Sequence, residues 1–285
     1  MTDREQSLEA GLYFVATPIG AARDITLRGL DILRQADVLA AEDTRNTRRL
    51  LDIHGIALEG RKLIAYHDHN GPKVRPRLIG MIREGLSVAY VSDAGTPLVA
   101  DPGYALARAA TEAGFKVVAA PGASAVLAAL TVAGLPTDRF LFAGFLPAKQ
   151  GARKALLETL EMVPATLVFF ESPKRVGKTL DLMAQVLGPE REAALCRELT
   201  KKFEETVRGT LGELAERYAQ TPPRGEVVLL VGPPVAREAD DGDIRQAVRK
   251  AIEQGTSRRD AVDQVARDMG VPRRRVYALA LEGKE

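Results

Sequence analysis

The sequence predicts an α/β protein with two α/β domains and a small helical tail. Short apolar runs alternate with amphipathic helical segments along most of the 285-residue chain. This alternation is typical of a mostly parallel sheet with helices on both faces. From about residue 240 onward the pattern contains helical segments only. We place the domains at residues 1–134, 135–235 and 240–285, because domains usually hold roughly 100–200 residues.

In the first domain, each strand-like run is followed by a helix-like segment. The strand-like runs are "GLYFVAT", "VLAAED", "KLIAY", "SVAYVSD" and "KVVAAPG". The helix-like segments are "ITLRGLDILRQA", "NTRRLLDIHG", "VRPRLIGMIREG", "YALARAATEAG" and "SAVLAALTVAG". Gly85 and Gly114 stand where a helix should end before the next strand begins.

The second domain begins after Gly134 and Pro136, which fall between two apolar segments. It begins near "RFLFAGFLP", and its predicted strands are "ATLVFFES", "AALCREL" and "GEVVLLVGP", with a helix at "GKTLDLMAQVLG". The segment "KFEETVRGTLGELAERYAQ" lies before the last strand. "PPVAREADDGD" has the composition of a linker. The tail then offers three short helices, "IRQAVRKAIEQG", "SRRDAVDQVARDMG" and "PRRRVYALAL", which resemble a helix-turn-helix unit.

Composition narrows the classes of protein that fit. Hydrophobic residues make up 46% and charged residues 27%, as in ordinary globular proteins. The net charge of +2 means that a nucleic acid would have to meet a local basic patch. The single cysteine, Cys196, excludes a disulfide within the chain and, with three histidines, disfavours structural zinc. We expect a cytoplasmic protein without a membrane segment, because no apolar run reaches roughly 20 residues.

Three strand ends carry turn residues that could hold a ligand. They are "VATPIGAARDIT", "VSDAGTPLVADPG" and "AAPGASAVLAAL". Ligands of open α/β sheets bind outside the carboxyl ends of the strands, where glycine allows close approach. Asp93 either bonds a polar ligand or caps the turn onto Gly95, and Ser124 either caps a helix or faces the ligand. Each loop alone could be a plain turn, but three together favour a binding crevice.

Three charged segments form a possible basic rim around an acidic cleft. In "AAEDTRNTRRLL", Glu42 and Asp43 precede arginines that share one helical side. This segment is either a capped helix with a solvated face or an acid pair beside a phosphate-binding surface. "FFESPKRVGKTL" and "CRELTKKFEET" add further lysines and arginines. His67 and His69 flank Asp68, but no third ligand cluster accompanies them, so we expect no metal site.

Taken in order, these motifs resemble one known family. "VATPIGAARDITLRGLDIL", "AAEDTRNTRRLL", "VSDAGTPLVADPG", "FFESPKRV", "CRELTKKFEETVRGTLGEL" and "GEVVLLV" are similar to motifs of the RsmI family. The similarity covers roughly residues 11–232. Members of this family are 2′-O-methyltransferases that modify a cytidine of 16S rRNA in the small ribosomal subunit, and they belong to the tetrapyrrole methylase superfamily. The resemblance also implies a homodimer.

The resemblance implies two α/β domains of the tetrapyrrole methylase type, with S-adenosylmethionine bound in the cleft between them. "VSDAGTPLVADPG" would then be mainly a cofactor cradle. The residues that match cofactor positions of the family lie in both domains. They are Pro18, Asp93, Gly95, Thr96, Gly122, Ser124, Ala125, Phe170, Leu199 and Glu226.

Methyl transfer to a ribose hydroxyl requires a group that accepts the hydroxyl proton. We expect Glu42, Asp43 and Lys174 to supply that group between them. The phosphates of the RNA would be held by arginines of both domains and of the tail. These are Arg45, Arg48, Arg175, Arg273, Arg274 and Arg275.

Other interpretations stay open at this point. The tail either contacts RNA or packs in a dimer. The protein could instead methylate a small corrin or porphyrin ring, whose carboxylates also suit arginine. It could also be an RNA-binding scaffold with a vestigial cleft, although its cofactor loops are intact.

Overall fold

A computed structural model describes residues 8–100, 103–234 and 240–282 of the chain. Asp101 and Pro102 of the "VSDAGTPLVADPG" loop lie outside the described residues. So do residues 1–7, 235 and 283–285 at the ends of the predicted domains. The chain divides into two compact units, Met1–Pro234 and Val235–Glu285. A further boundary at residue 134 remains a prediction.

The first sheet is fully parallel, with strand order β3-β2-β4-β1-β5. Its strands are β1 (Gly11–Val15), β2 (Val38–Ala41), β3 (Lys62–Ala65), β4 (Ser87–Val91) and β5 (Val117–Ala120). β1, β2 and β4 are buried along their whole length. Strands covered on both faces read as continuous apolar runs, which is why the sequence predicts this sheet correctly.

Five helices follow these strands, and four of them cover the two faces of the sheet. They are α1 (Leu27–Gln35), α2 (Thr44–Ile53), α3 (Gly71–Arg83), α4 (Tyr104–Glu112) and α5 (Ala125–Ala133). α1 and α2 pack on one face through Leu33 and Leu51, and α3 and α4 pack on the other through Leu78 and Leu106. Helix α5 packs on β8 and β10 of the second sheet instead.

The second sheet is mixed, with strand order β6-β7-β10-β8-β9. Its strands are β6 (Phe140–Phe145), β7 (Thr166–Glu171), β8 (Glu192–Arg197), β9 (Glu205–Thr210) and β10 (Val227–Val231). Among the described strand pairs of this second sheet, only β6 and β7 are parallel; β10 runs antiparallel to β7 and β8, and β8 runs antiparallel to β9. Consequently β7 ends, and β10 begins, at the same edge of the sheet.

Three helices accompany the second sheet. They are α6 (Gln150–Leu160), α7 (Val176–Leu187) and α8 (Leu211–Tyr218). Helix α6 is not among the predicted helices, although Leu157 and Leu160 have helical spacing and are buried. The segment before α8 has no predicted structure either. That segment forms β9 and then turns into the helix at Thr210, where Thr210 and Glu213 form a capping box.

The C-terminal unit is a small bundle of three helices, as the sequence predicts. They are α9 (Asp241–Glu253), α10 (Arg258–Asp268) and α11 (Arg273–Glu282). A compact apolar core that includes Ile244, Val262 and Val276 holds them together. Gly270 adopts φ +63° in the turn between α10 and α11. Across the described parts of the chain, every helix is too short or too polar to span a bilayer.

Candidate functional site

The three strand-end loops of the first sheet are bonded to one another. Thr17 and Gly95 exchange two backbone hydrogen bonds, each 3.0 Å between nitrogen and oxygen. The Thr96 hydroxyl donates to the Ala123 carbonyl at 2.9 Å, which joins the second loop to the third. Because these bonds fix the loops at one edge of the sheet, the loops form a preorganised surface.

Two glycines of these loops are required by geometry. Gly95 has φ +78°, a conformation that other residues rarely adopt. A Cβ at Gly122 would lie 2.9 Å from the Cβ of Ala16. Glycine is therefore needed at Gly95 for its backbone conformation and at Gly122 for its close packing.

These loops face the second sheet across a cavity of about 480 Å³. Eight of the ten residues predicted to contact a cofactor line it. They are Asp93, Gly95, Thr96, Ser124, Ala125, Phe170, Leu199 and Glu226. Pro18 and Gly122 do not line it, but they lie in the same loops, beside Ile19 and Ala123.

The cavity wall combines apolar and acidic groups. Ile19, Val99 and Leu199 are apolar lining residues, and Glu42 and Asp93 are acidic ones. A cavity of this character suits a ligand that has both an apolar part and a positive charge.

Glu42 and Asp93 are linked through the backbone of each other's loop. The Asp93 amide donates to Glu42 Oε2 at 3.3 Å, and Asp93 Oδ1 accepts from the Asp43 amide at 3.0 Å. Partial burial, followed by the nearby charge of Glu42, raises the pKa of Asp93 above its ordinary value. The structure thus places two interacting carboxylates on the cavity wall.

Asp43, the neighbour of Glu42, has a different environment. Its carboxylate caps α2 by accepting from the Arg45 amide at 2.8 Å, and it pairs with Arg45 Nη2 at 2.6 Å. These bonds to Arg45, led by the side-chain bond, lower the pKa of Asp43 to about 2. Asp43 does not line the cavity, and Arg45 and Arg48 are exposed on α2 outside it.

The loop after β8 closes the cavity from the second sheet. Glu198 and Thr200 adopt positive φ values of 50° and 62°, conformations that cost non-glycine residues roughly 1–3 kcal/mol each. Lys201 Nζ bridges Glu198 at 3.0 Å and Glu226 at 2.8 Å. The Thr200 hydroxyl accepts from the Ala21 amide at 3.0 Å, which ties this loop to the first loop of the other sheet.

A buried charged network shapes the corner after β7. Glu171, whose side chain is fully buried, accepts from the Ser172 amide at 2.7 Å and the Thr179 hydroxyl at 2.7 Å. Arg175 pairs with it at 3.0 Å and donates to the Leu146 carbonyl at 2.6 Å. The guanidinium of Arg175, predicted to hold phosphate, is therefore occupied inside the protein. Lys174 is exposed and does not line the cavity.

Sequence reasoning missed the role of Glu171. The available signal was an acidic residue at the end of an apolar strand, directly before Ser-Pro. A buried carboxylate at the end of a strand needs charged or hydrogen-bonding partners nearby. Arg175, four residues later in the sequence, is such a partner.

We expect Glu171→Ala to lower the free energy of unfolding by about 3–5 kcal/mol, because it leaves a largely buried cation without its partner. Glu112→Ala is the matched control, since Glu112 also pairs with an arginine four residues away but is exposed. That change should cost no more than about 0.5 kcal/mol. Urea unfolding of both variants measures the difference, and equal costs would contradict a structural role for the network.

A metal site finds no support among the described residues. In those ranges no group of three or more His, Cys, Asp or Glu side chains is placed to hold an ion. The segment with His67 and His69 is organised by Asn70 instead. Asn70 Oδ1 accepts from the His67 amide at 2.9 Å, and its side-chain nitrogen donates to the Ala65 carbonyl at 2.9 Å.

Comparison with protein families and curated proteins gives extensive matches. Residues 11–215 match the family model described as Tetrapyrrole (Corrin/Porphyrin) Methylases, and residues 238–284 match the RsmI C-terminal HTH domain. A protein of Mesorhizobium japonicum is 51% identical over 98% of this chain and 94% of its own length. A protein of Halalkalibacterium halodurans is 44% identical over 94% of this chain and 93% of its own length. A protein of Synechocystis is 39% identical over 95% of this chain and 97% of its own length. All three are named ribosomal RNA small subunit methyltransferase I.

Solved structures show the same fold at lower identity. The uroporphyrin-III-C-methyltransferase of Thermus thermophilus has a TM-score of 0.55 at 24% identity and covers 78% of this chain and 94% of its own. A cobalt precorrin-4 methyltransferase has a TM-score of 0.57 at 19% identity, with coverages of 78% and 94%. At these identities the likeness establishes the fold alone.

Proposed function

Because the chain belongs to the tetrapyrrole methylase family, and within it to the ribosomal RNA small subunit methyltransferases I, we propose that it methylates the ribose 2′-hydroxyl of a cytidine in 16S rRNA, with S-adenosylmethionine as the methyl donor. The observation that carries this function is the near full-length identity to proteins of that name. A ring substrate is not favoured, since the match to these relatives extends over nearly the whole chain, including the C-terminal domain at residues 238–284.

The residues of the cavity suit S-adenosylmethionine. Gly95, Thr96 and Ser124 would hold it from the first sheet, and Leu199 and Glu226 from the second. The apolar residues of the wall suit an adenosine, and the acidic residues of the wall favour the cationic sulfonium and amino groups. When bound, this cofactor supplies a methyl group that is already electrophilic. The protein then contributes mainly positioning and removal of a proton.

The three candidates for proton removal are not equivalent. Glu42 lines the cavity beside Asp93. Asp43 lies outside it, and a carboxyl with a pKa of about 2 is a weak base. Lys174 is exposed and also lies outside the wall. We therefore assign the role of general base to Glu42, with the Asp93 carboxylate beside it.

We propose that the substrate is 16S rRNA within the small ribosomal subunit. We also propose that the protein acts on it as a homodimer in the cytoplasm. Arg48 is exposed on α2 and is suited to a phosphate contact, whereas the guanidinium of Arg45 is already paired with Asp43. We do not propose a phosphate contact for Arg175, because its guanidinium already binds Glu171 and the Leu146 carbonyl.

In the tail, Arg273, Arg274 and Arg275 are all exposed, and Arg274 is the one that we expect to contact RNA phosphate. Arg275 pairs with Asp241 at 2.8 Å, and Arg273 pairs with Asp263.

Each lost phosphate contact removes about 0.7–0.9 from the slope of log affinity against log salt. We expect this change for Arg274→Ala in filter binding of small subunits at several salt concentrations. Arg83→Ala, at the end of α3, is the control with an unchanged slope, and a slope unchanged in both would contradict the assignment.

The experiment that tests the proposed function uses S-adenosylmethionine with a tritiated methyl group. Purified protein is mixed with small subunits that lack the modification, with large subunits, or with uroporphyrinogen. We expect label in the small subunit alone. Label in the porphyrin, or in none of the three, would overturn the proposal.

A further inference from the structure

Phe145 is an exposed aromatic residue on the wall of the cavity, and the functions proposed above do not use it. It ends β6, one of the two edge strands of the second sheet, and the residue is 59% exposed. Its ring packs against Phe170 with centroids 5.5 Å apart, and Phe170 packs against Phe142 at 4.9 Å. An aromatic surface this open is costly to leave in water unless something covers it.

The order of the strands gives the cavity two ends. Leu199 follows β8, three strands from β6, a separation of about 14 Å at the usual spacing of strands. In the first sheet, Ser124 follows β5, and Glu42 follows β2, also three strands apart. Each sheet therefore places one of these residues at one end of the cavity and the other at the opposite end.

Direct contacts show which ends of the two sheets face each other. Helix α5, which begins after Ser124, packs on β8 and β10. The loop after β1 bonds to the loop after β8 through Ala21 and Thr200. Ser124 and Leu199 therefore share one end of the cavity, and Glu42 and Phe145 share the other.

We infer that Phe145 stacks on the base of the cytidine that receives the methyl group. This inference rests on the proposed function and names the residue that binds the acceptor. Ser124 and Leu199 are among the residues proposed to hold the cofactor, so we place the cofactor at their end, reaching as far as Phe170, and the acceptor ribose beside Glu42 at the other end. The base attached to that ribose then lies against the exposed face of Phe145. A base drawn out of an RNA helix stacks on aromatic side chains in this way.

The test compares Phe145→Ala with Phe140→Ala. Phe140 lies at the opposite end of the same strand and is 44% exposed, which makes it a matched control. Loss of one base–aromatic stack should reduce kcat/KM for unmodified small subunits roughly 5- to 150-fold. Calorimetric affinity for S-adenosylmethionine and the melting temperature should stay at parental values. Phe145→Trp should recover most of the lost kcat/KM, because its ring can also stack.

Each outcome decides the matter. If Phe145→Ala matches the parent in kcat/KM, or if Phe140→Ala is equally impaired, the stacking role is wrong. If Phe145→Ala loses affinity for S-adenosylmethionine as strongly as activity, the ring belongs to the cofactor site, which also overturns the inference. A parent protein that labels no subunit would remove the proposed function itself, and the stacking role with it.

Discussion

Glu42→Gln should slow methyl transfer to the small subunit by roughly 10²- to 10⁴-fold, the contribution of one general base. The amide of glutamine keeps the size of the side chain and can still accept the bond from the Asp93 amide. It cannot accept the proton of a ribose hydroxyl. Single-turnover rates with saturating S-adenosylmethionine measure the effect on the transfer step. Affinity for the cofactor should change little.

Asp43→Asn is the matched control for that experiment. Asparagine caps a helix about as well as aspartate, so α2 should keep its first turn. With a pKa of about 2, the Asp43 carboxyl is too weak a base to accept the hydroxyl proton efficiently. We expect the rate of this variant to stay close to that of the parent. A parental rate for Glu42→Gln together with a slow Asp43→Asn would reverse the assignment.

Ser124→Tyr is expected to abolish detectable binding of S-adenosylmethionine in calorimetry. Ser124 lines the cavity at the end assigned to the cofactor, and a tyrosine ring there would fill space that the ligand needs. Loss of the cofactor would also abolish methyl transfer.

Ser124→Ala separates the loss of space from the loss of the hydroxyl. The Ser124 hydroxyl caps α5 by accepting from the Leu127 amide at 3.5 Å, a long bond. Removing a helix cap costs about 1 kcal/mol of stability and leaves the cavity open. The alanine variant should therefore still bind S-adenosylmethionine. Undiminished binding by the tyrosine variant would mean that the cofactor lies elsewhere.

The first sheet and its loops could be predicted because local sequence determines them. β1 and β4 are buried throughout and consist almost entirely of apolar residues, and glycine and proline mark the turns that follow. The antiparallel pairings of the second sheet could not be predicted in the same way. Leu229 of β10 lies opposite Phe169 in an antiparallel pair. The sequence of a buried apolar strand does not indicate whether the strand pairs in parallel or antiparallel.

The roles of individual charged residues depended on contacts that the sequence does not show. Glu42 and Asp43 are adjacent in the chain, yet one lines the cavity and the other is neutralised by Arg45. Arg175 reads as a cation in a basic loop, but Glu171 is buried four residues before it and binds it. Such pairings are set by the direction of each side chain in the folded protein, so a motif narrows the candidates without choosing among them.

The chemical position of the added methyl group tests the central claim most directly. Unmodified small subunits are incubated with the protein and S-adenosylmethionine, the 16S rRNA is digested to nucleosides, and the products are identified by mass spectrometry. The proposed function predicts one new modified nucleoside, 2′-O-methylcytidine, which Glu42→Gln forms far more slowly. A methyl group on the cytosine base, on another nucleoside or on no nucleoside would contradict it.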